Sequence, residues 1–280
     1  MTVAERIRAS GADLTGAERR VAEVIVDAPQ AVAFGTVADL ARRADVGAAS
    51  VVRLANKLGF DGYSDLQQTV QTELSAQLRP AAERIRDDTA ASVAAHAAAE
   101  LDNVRSSLAA VTDVALDAVV ERLADLDRPV LVVSGDASAG VAQQFVGQLS
   151  QLRSSVRSVQ GSAVSVGRQL ALADPSSTAI VVDLRRYERW VLDAHGTLVE
   201  RGIWCAGVTD SVLSPIAQRA DATFLVSAAA VGPFDSHLGT HAVLNLITTR
   251  VATELRSSAA DRLTAIEGAW GDSGALSDGT

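Results

Sequence analysis

The chain has 280 residues, of which 48% are hydrophobic, and a formal net charge of −9 at pH 7. This length predicts about two domains, and the excess of acidic residues excludes indiscriminate coating of nucleic acid, which needs clustered Lys and Arg. Because the apolar runs are far shorter than the roughly 20 residues that span a bilayer, and the N-terminus lacks the apolar core of a secretory signal, we expect a cytoplasmic protein with no membrane partner.

Residues 1–79 are predicted to form a helical domain, because their apolar residues recur at helical spacing. Within it, the stretch 36–58 reads as two short helices joined by a tight turn. Thr36 is suited to cap the first helix and Gly47 the second. Gly59 suits the left-handed position that ends the second helix. This arrangement predicts a helix-turn-helix.

The second helix of this pair has a distinct polar face. Its apolar residues are predicted to point inward, which turns five side chains toward solvent: Ala49, Ser50, Arg53, Asn56 and Lys57. Hydroxyl, amide and cationic groups of this kind bind phosphates and base edges of DNA. An ordinary helical hairpin with a solvated polar face fits the spacing equally well, so the pattern alone leaves both interpretations open.

Residues 80–110 are predicted to be a helical connector. Two helical patterns, at about 90–108 and 115–126, follow the helical domain of residues 1–79, which we call the head. Beyond these helices the sequence consists of short β-rich runs separated by amphipathic segments. The β-rich runs lie at 130–133, 156–159, 178–182, 203–208 and 223–226. Such alternation predicts a parallel five-stranded sheet flanked by helices over 111–266. A last helix is expected at about 236–256, with a flexible tail over 267–280.

The head resembles the N-terminal domain of RpiR/MurR-type transcription regulators. The resemblance rests on the run from Leu14 through Pro29 and Val37 to Ala41, and above all on 50–63, which ends in Lys-Leu-Gly-Phe-Asp-Gly-Tyr. It implies a recognition helix near 48–58 that enters the major groove of double-stranded DNA, with Ser50, Arg53, Asn56 and Lys57 as contacts. Gly47 stands where the family usually has serine, so no phosphate contact is expected there.

In that family the second domain is a sugar isomerase (SIS) fold that binds a phosphosugar effector. Here Val130 to Ser138 reads as a strand, a small-residue loop and the start of a helix, whose free N–H groups suit an anion. Ser138 matches the family's phosphate-contacting serine. Ser134 and Asp136 replace the two glycines expected before it, and Asp136 places a negative charge where phosphate would bind.

The serine-rich turn that the family has after the third strand is absent. Asp183 and Arg185 stand in place of its two serines, and Arg186 follows. Two arginines bind an anion through bidentate hydrogen bonds, and their long side chains hold it farther from the backbone than serine hydroxyls do. The sequence therefore predicts an anionic effector that is not a standard hexose 6-phosphate. Alternatively, these charged side chains and Glu188 pair with each other at the surface.

A third family signature, from Gly207 to Ala217, is matched. Thr209, Ser211 and Ser214 are predicted to reach a ligand at the carboxyl ends of the strands, where open α/β sheets bind. Capping of a following helix explains Ser214 equally well. The predicted ligand site therefore consists of eight residues: Asp136, Ser138, Asp183, Arg185, Arg186, Thr209, Ser211 and Ser214.

No catalytic residue, metal or cofactor is predicted. His237 and His241 lie four apart on the last helix, but we favour ordinary polar positions near a subunit interface over a metal pair. Cys205 lies in an apolar strand pattern, as expected of an inert core thiol. The expected function is a DNA-binding regulator of a metabolic operon that senses a small anionic metabolite and acts as a homodimer or homotetramer. The alternatives are a SIS-type phosphosugar isomerase and a regulator whose SIS domain only dimerises.

Overall fold

In a computed structural model the chain is described over residues 3–10, 14–27, 29–78, 84–85, 92–212 and 214–275. It divides into two compact units, 1–87 and 88–280. The predicted connector overlaps both, and its residues 80–83 and 86–91 lie outside the described ranges. No helix in the described part of the chain is long and apolar enough to cross a membrane.

The first unit is helical, as predicted. Its apolar side chains form one core, in which Leu40, Leu54 and Leu66 are fully buried. The helices are α1 (Val3–Ser10), α2 (Gly16–Asp27), α3 (Pro29–Phe34), α4 (Val37–Arg43), α5 (Ala48–Lys57) and α6 (Tyr63–Leu78).

The second unit is a five-stranded parallel sheet flanked by helices, which confirms the predicted fold. The strand order is β2-β1-β3-β4-β5. The elements are α7 (Val93–Ala109), α8 (Asp113–Ala124), β1 (Val130–Ser134), α9 (Ala139–Leu152), β2 (Val156–Ser158), α10 (Ala163–Ala171), β3 (Thr178–Val182), α11 (Arg189–Glu200), β4 (Trp204–Thr209), β5 (Ala222–Leu225) and α12 (Leu238–Ser273).

Both faces of the sheet are covered. Val132 and Ile180 point to one face and join the core formed with α8, α9 and α12. Leu131 and Val181 point to the other face, where α10 and α11 pack. Strands covered on both sides read as continuous apolar runs, which is why β1 and β3 were recognisable in the sequence. Their carboxyl ends lie at one edge, and that edge positions the predicted ligand residues.

The last helix is longer than predicted. The expected end at Arg256 coincides with a break in the helical backbone, where φ is 24° and ψ is −85°. Helical structure then resumes to Ser273, into the segment predicted as a tail, and residues 276–280 lie outside the described ranges. After the break, Arg262 donates two hydrogen bonds to the carbonyl of Ser150, at 3.2 and 3.0 Å, which ties this part of α12 to α9.

Helix α7 belongs to the second unit, where it packs on α12 and on the loop after β5. Asn103 is fully buried, and its amide bonds both backbone groups of Ala229, the carbonyl at 2.7 Å and the N–H at 3.0 Å. The hydroxyl of Ser107 accepts a bond of 2.9 Å from the N–H of Ser227. These bonds give partners to backbone groups of the loop, so they fix the loop on the helix.

Candidate functional site

The helix-turn-helix is capped as the sequence predicted. The Thr36 hydroxyl accepts from the Asp39 N–H at 3.2 Å, and the Asp39 carboxylate accepts from the Thr36 N–H at 3.0 Å. This reciprocal pair satisfies two N–H groups at the start of α4. Past the end of α5, Gly59 has a φ of +84°, and Phe60 packs into the core while its N–H bonds the Ala55 carbonyl at 3.0 Å. Only glycine adopts this backbone without strain.

The turn between α4 and α5 is held from outside by α2. The guanidinium of Arg20 donates to the carbonyls of Ala44 and Asp45, at 3.2 and 3.3 Å. Asp45 adopts a positive φ of 50°, and Gly47 caps α5 without a side chain. Sequence reasoning missed Arg20, because nothing in helical spacing indicates that it bonds carbonyls more than 20 residues away.

The outer face of α5 is exposed at four of the five predicted DNA-contact positions, namely Ala49, Arg53, Asn56 and Lys57. The expectation that Ser50 faces solvent is wrong: the residue is 7% exposed. It lies one turn before Leu54, so it falls on the inward arc of the helix. Its hydroxyl accepts a hydrogen bond of 2.8 Å from the Arg53 guanidinium. Ser50 therefore orients Arg53 on the outer face.

Lys57, the fifth predicted contact, has a buried partner. Its ammonium donates to the Glu18 carboxylate at 2.9 Å, and 34% of the lysine side chain is exposed. This hydrogen bond contributes most to lowering the pKa of Glu18 to about 2, and hydrogen bonds from Thr15 lower that pKa further. Lys57 thus ties α5 to α2, and its charge is partly neutralised before any DNA phosphate approaches.

In the second unit, the loop after β1 lies at the carboxyl edge of the sheet. Ser138 is fully buried, and its hydroxyl has no hydrogen-bond partner in the described structure. Asp136 is exposed, and its backbone N–H donates to the carboxylate of Glu188. That acceptor was not among the predicted ligand residues. The loop's N–H group therefore already bonds an anion of the chain itself.

Asp183 lies just past the end of β3 and is only 4% exposed. Its carboxylate accepts from the backbone N–H groups of Leu184 and Glu188, at 3.0 and 2.8 Å. Burial raises the pKa of Asp183 to about 6, and the nearby charges of Glu188 and Asp210 also raise it, although the two hydrogen bonds act in the opposite direction. Desolvation dominates because it penalises the charged form of a buried acid.

Arg185 is already paired. Its guanidinium binds Asp235 through two hydrogen bonds of 2.9 and 3.2 Å and donates to the carbonyl of Ala228 at 2.9 Å. Only 12% of its side chain is exposed. The expectation of a free cation at this position therefore needs correction. The alternative of pairing within the 183–188 segment is not observed for Arg185 either, because its partner comes from the loop after β5. Arg186 is exposed and has a positive φ of 68°.

The loop after β4 supplies the remaining predicted residues. Thr209 is fully buried, and Ser211 is half-buried. The hydroxyl of Ser214 accepts from the Ala217 N–H at 2.9 Å, but residues 215–219 form a turn, so the following helix that the capping alternative required is not present. Beside them, Asp210 accepts from the Tyr187 hydroxyl and from the Arg185 N–H, both at 2.9 Å. Its carboxylate thus links the loop after β4 to the loop after β3.

His237 and His241 were both expected on the last helix, but only His241 lies on it. Among the described residues, no group of three or more His, Cys, Asp or Glu is placed to hold a metal ion. His237 precedes α12, and burial lowers its pKa. His241 contacts the Asn245 amide at 3.3 Å. Cys205 is fully buried, and burial raises the pKa of its thiol to about 12, which fits an inert thiol.

Comparison with known proteins assigns both units. Residues 1–77 match the family model of the helix-turn-helix domain of the rpiR family, and residues 122–250 match that of the SIS domain. The chain belongs to the RpiR family. The solved sugar isomerase domain of an RpiR transcription factor from Sphaerobacter thermophilus is 28% identical, with a TM-score of 0.57, and the match covers 62% of this chain and 97% of that one.

Other relatives of this RpiR-family chain extend the comparison. NanR of Vibrio vulnificus, solved with ManNAc-6P, has the same fold over 96% of this chain and 98% of its own, at 18% identity and a TM-score of 0.58. An HTH-type transcriptional regulator of Caldanaerobacter subterraneus is 24% identical over 79% of this chain and 78% of its own. The bifunctional protein glk of Paraburkholderia xenovorans is 34% identical over 44% of this chain, which spans only 19% of glk.

Proposed function

We propose that this RpiR-family protein is a transcription regulator that binds duplex DNA through α5 and senses a small metabolite through its SIS domain. The observation that supports DNA binding best is the outer face of α5, where Arg53 and Asn56 are exposed on a helix that begins after Gly47 and ends before the left-handed Gly59. Such a helix presents its side chains to base edges in the major groove. The proposal places the protein in the cytoplasm, with the DNA that it binds.

The Arg53→Ala variant is expected to bind its specific duplex about 10 to 100 times more weakly, which corresponds to about 1 to 3 kcal/mol for a lost contact to a base edge. Arg19→Ala is the matched control, because Arg19 is an exposed arginine of the same unit on α2. Fluorescence anisotropy with specific and random duplexes measures both. An equal loss on both duplexes would make Arg53 a phosphate contact, and unchanged binding would remove it from the interface.

We propose the carboxyl edge of the SIS sheet as the sensing site, around Ser138, Asp183 and Thr209. The buried, unpartnered hydroxyl of Ser138 supports a polar ligand here. NanR, which shares the fold, is solved with the sugar phosphate ManNAc-6P. For this chain the pairing of Arg185 with Asp235 weakens the case for an anion held by two arginines. A ligand that shifts the protein's melting temperature would support sensing; turnover of a phosphosugar would favour the isomerase alternative.

The proposal includes a symmetric oligomer. A single helical head contacts too little DNA for tight recognition, whereas a pair of heads reads two half-sites. Large apolar side chains are exposed in the second unit, among them Val93 (88%), Leu101 (64%) and Val114 (82%). A contact between subunits would remove them from water. An inverted repeat in the selected DNA is the signature of such a pair, and a single half-site would contradict it.

A further inference from the structure

The loop after β1 is the place where a ligand's anionic group is expected in this fold, and here Glu188 occupies it. One carboxylate oxygen of Glu188 accepts from the N–H of Asp136. The other accepts from the indole N–H of Trp190 at 2.6 Å. The Glu188 N–H in turn donates to Asp183 at 2.8 Å. Two hydrogen bonds thus hold the Glu188 carboxylate at the loop, and a third anchors the backbone of the same residue.

The packing around Gly135 shows how closely the carboxylates approach the loop. A Cβ atom added to Gly135 would lie 2.5 Å from Oδ1 of Asp183 and 2.9 Å from Oε1 of Glu188. Real Cβ atoms do not approach this closely, so any larger residue at this position would have to displace the two carboxylates. The space over the loop is therefore filled by the chain's own acidic groups.

Ser138 provides an independent indication that the loop is suited to a ligand. Its hydroxyl is completely buried in the first turn after the loop and has no hydrogen-bond partner among the described residues. A buried hydroxyl without a partner costs free energy, and binding sites are a common reason for it. The loop therefore combines a polar group suited to a ligand with a carboxylate that keeps anions out.

We propose that the Glu188 carboxylate takes the place of a ligand's phosphate, and that Glu188 is the residue that makes this domain exclude phosphorylated ligands from the loop after β1. The inference rests on the proposed sensing role of the SIS domain. Two negative charges within a few ångströms repel each other strongly at a half-buried site, and phosphate would also lose the Asp136 N–H that Glu188 already uses. An effector of the wild-type protein therefore places no phosphate in this loop.

Removal of the carboxylate tests the proposal with inorganic phosphate as the probe. By isothermal titration calorimetry, the full-length Glu188→Ala variant is expected to bind phosphate at least about tenfold more tightly than wild type, because one like charge in contact range is gone. Glu200→Ala is the control, since Glu200 is the last residue of α11, the helix that Glu188 precedes, and its side chain is 74% exposed. It is expected to behave like wild type.

A second variant guards against misfolding of the first. Trp190→Phe keeps the carboxylate but removes the indole N–H that holds it, so it is expected to give a smaller gain in phosphate affinity. Near-ultraviolet circular dichroism establishes that each variant is folded. Wild type that binds phosphate as tightly as Glu188→Ala, or folded variants that gain nothing, would overturn the proposal. Duplex binding through α5 is expected to be unchanged in all of them, so failure here is distinguishable from failure of the proposed regulator.

Discussion

Replacement of Arg153 with methionine is expected to lower the free energy of unfolding of the second unit by about 3 kcal/mol. Arg153 is 1% exposed and ends α9. Its guanidinium donates to the carbonyls of Leu123 and Asp125, at 2.6 and 2.9 Å, and to the carbonyl of Arg128. Methionine fills similar space but leaves these three carbonyls without their donor, and that of Leu123 belongs to a fully buried residue. The loop between α8 and β1 would lose the hydrogen bonds that join it to the end of α9.

Urea denaturation followed by tryptophan fluorescence measures this effect in the second unit alone, because Trp190, Trp204 and Trp270 are the only tryptophans of the chain and all lie there. Arg157→Met is the control, since Arg157 is an exposed arginine on β2. Surface changes of this kind are usually within about 0.5 kcal/mol. A loss for Arg153→Met no larger than that of the control would show that solvent replaces the missing donors.

The His195→Gln variant is expected to gain about 3 kcal/mol of stability relative to wild type as the pH falls from 7 to 4. His195 is 1% exposed, and burial, aided by the charge of Arg219, lowers its pKa from 6.5 to about 4. Between these values the unfolded chain binds a proton that the folded chain does not, so acid destabilises wild type. Glutamine cannot take up this proton and escapes the penalty.

Asp183→Asn provides the opposite test. The pKa of Asp183 is raised from 3.8 to about 6, so the folded wild-type chain binds a proton before the unfolded chain does as the pH falls. Wild type is relieved of a buried charge on acidification, whereas the asparagine variant gains nothing. Relative to wild type, this variant should therefore lose stability over the same interval, by a similar amount. The free energy of unfolding of wild type and of both variants is measured between pH 7 and 4 by tryptophan fluorescence. If it changes with pH in both variants as it does in wild type, both pKa assignments are contradicted.

Much of the fold could be predicted because its signals are local. Strand β3 was expected at 178–182 and lies at Thr178–Val182, since a continuous apolar run marks a strand covered on both faces. The Thr36 cap and the left-handed Gly59 follow from the chemistry of single residues at helix ends. The second half of α12 was missed because its sequence, rich in Gly, Ser and Asp, resembles a tail.

The candidate sites were harder to predict because their contacts join distant parts of the chain. Arg185 was expected to be free, but its partner Asp235 lies 50 residues away, and no spacing rule indicates such a pair. Glu188 was considered only as a surface charge, although it lies over the loop after β1. Ser50 was assigned to the outer face because the inward arc of α5 is wider than its apolar residues suggest.

The central claim, that this chain reads specific DNA through α5, is tested most directly by selection from a pool of random duplexes. Purified full-length protein is used, and the retained DNA is sequenced after several rounds. We predict one recurring sequence, arranged as an inverted repeat, that wild type and Arg19→Ala enrich and that Arg53→Ala does not. A retained pool that matches the input, or the same sequence enriched equally by Arg53→Ala, would contradict the claim.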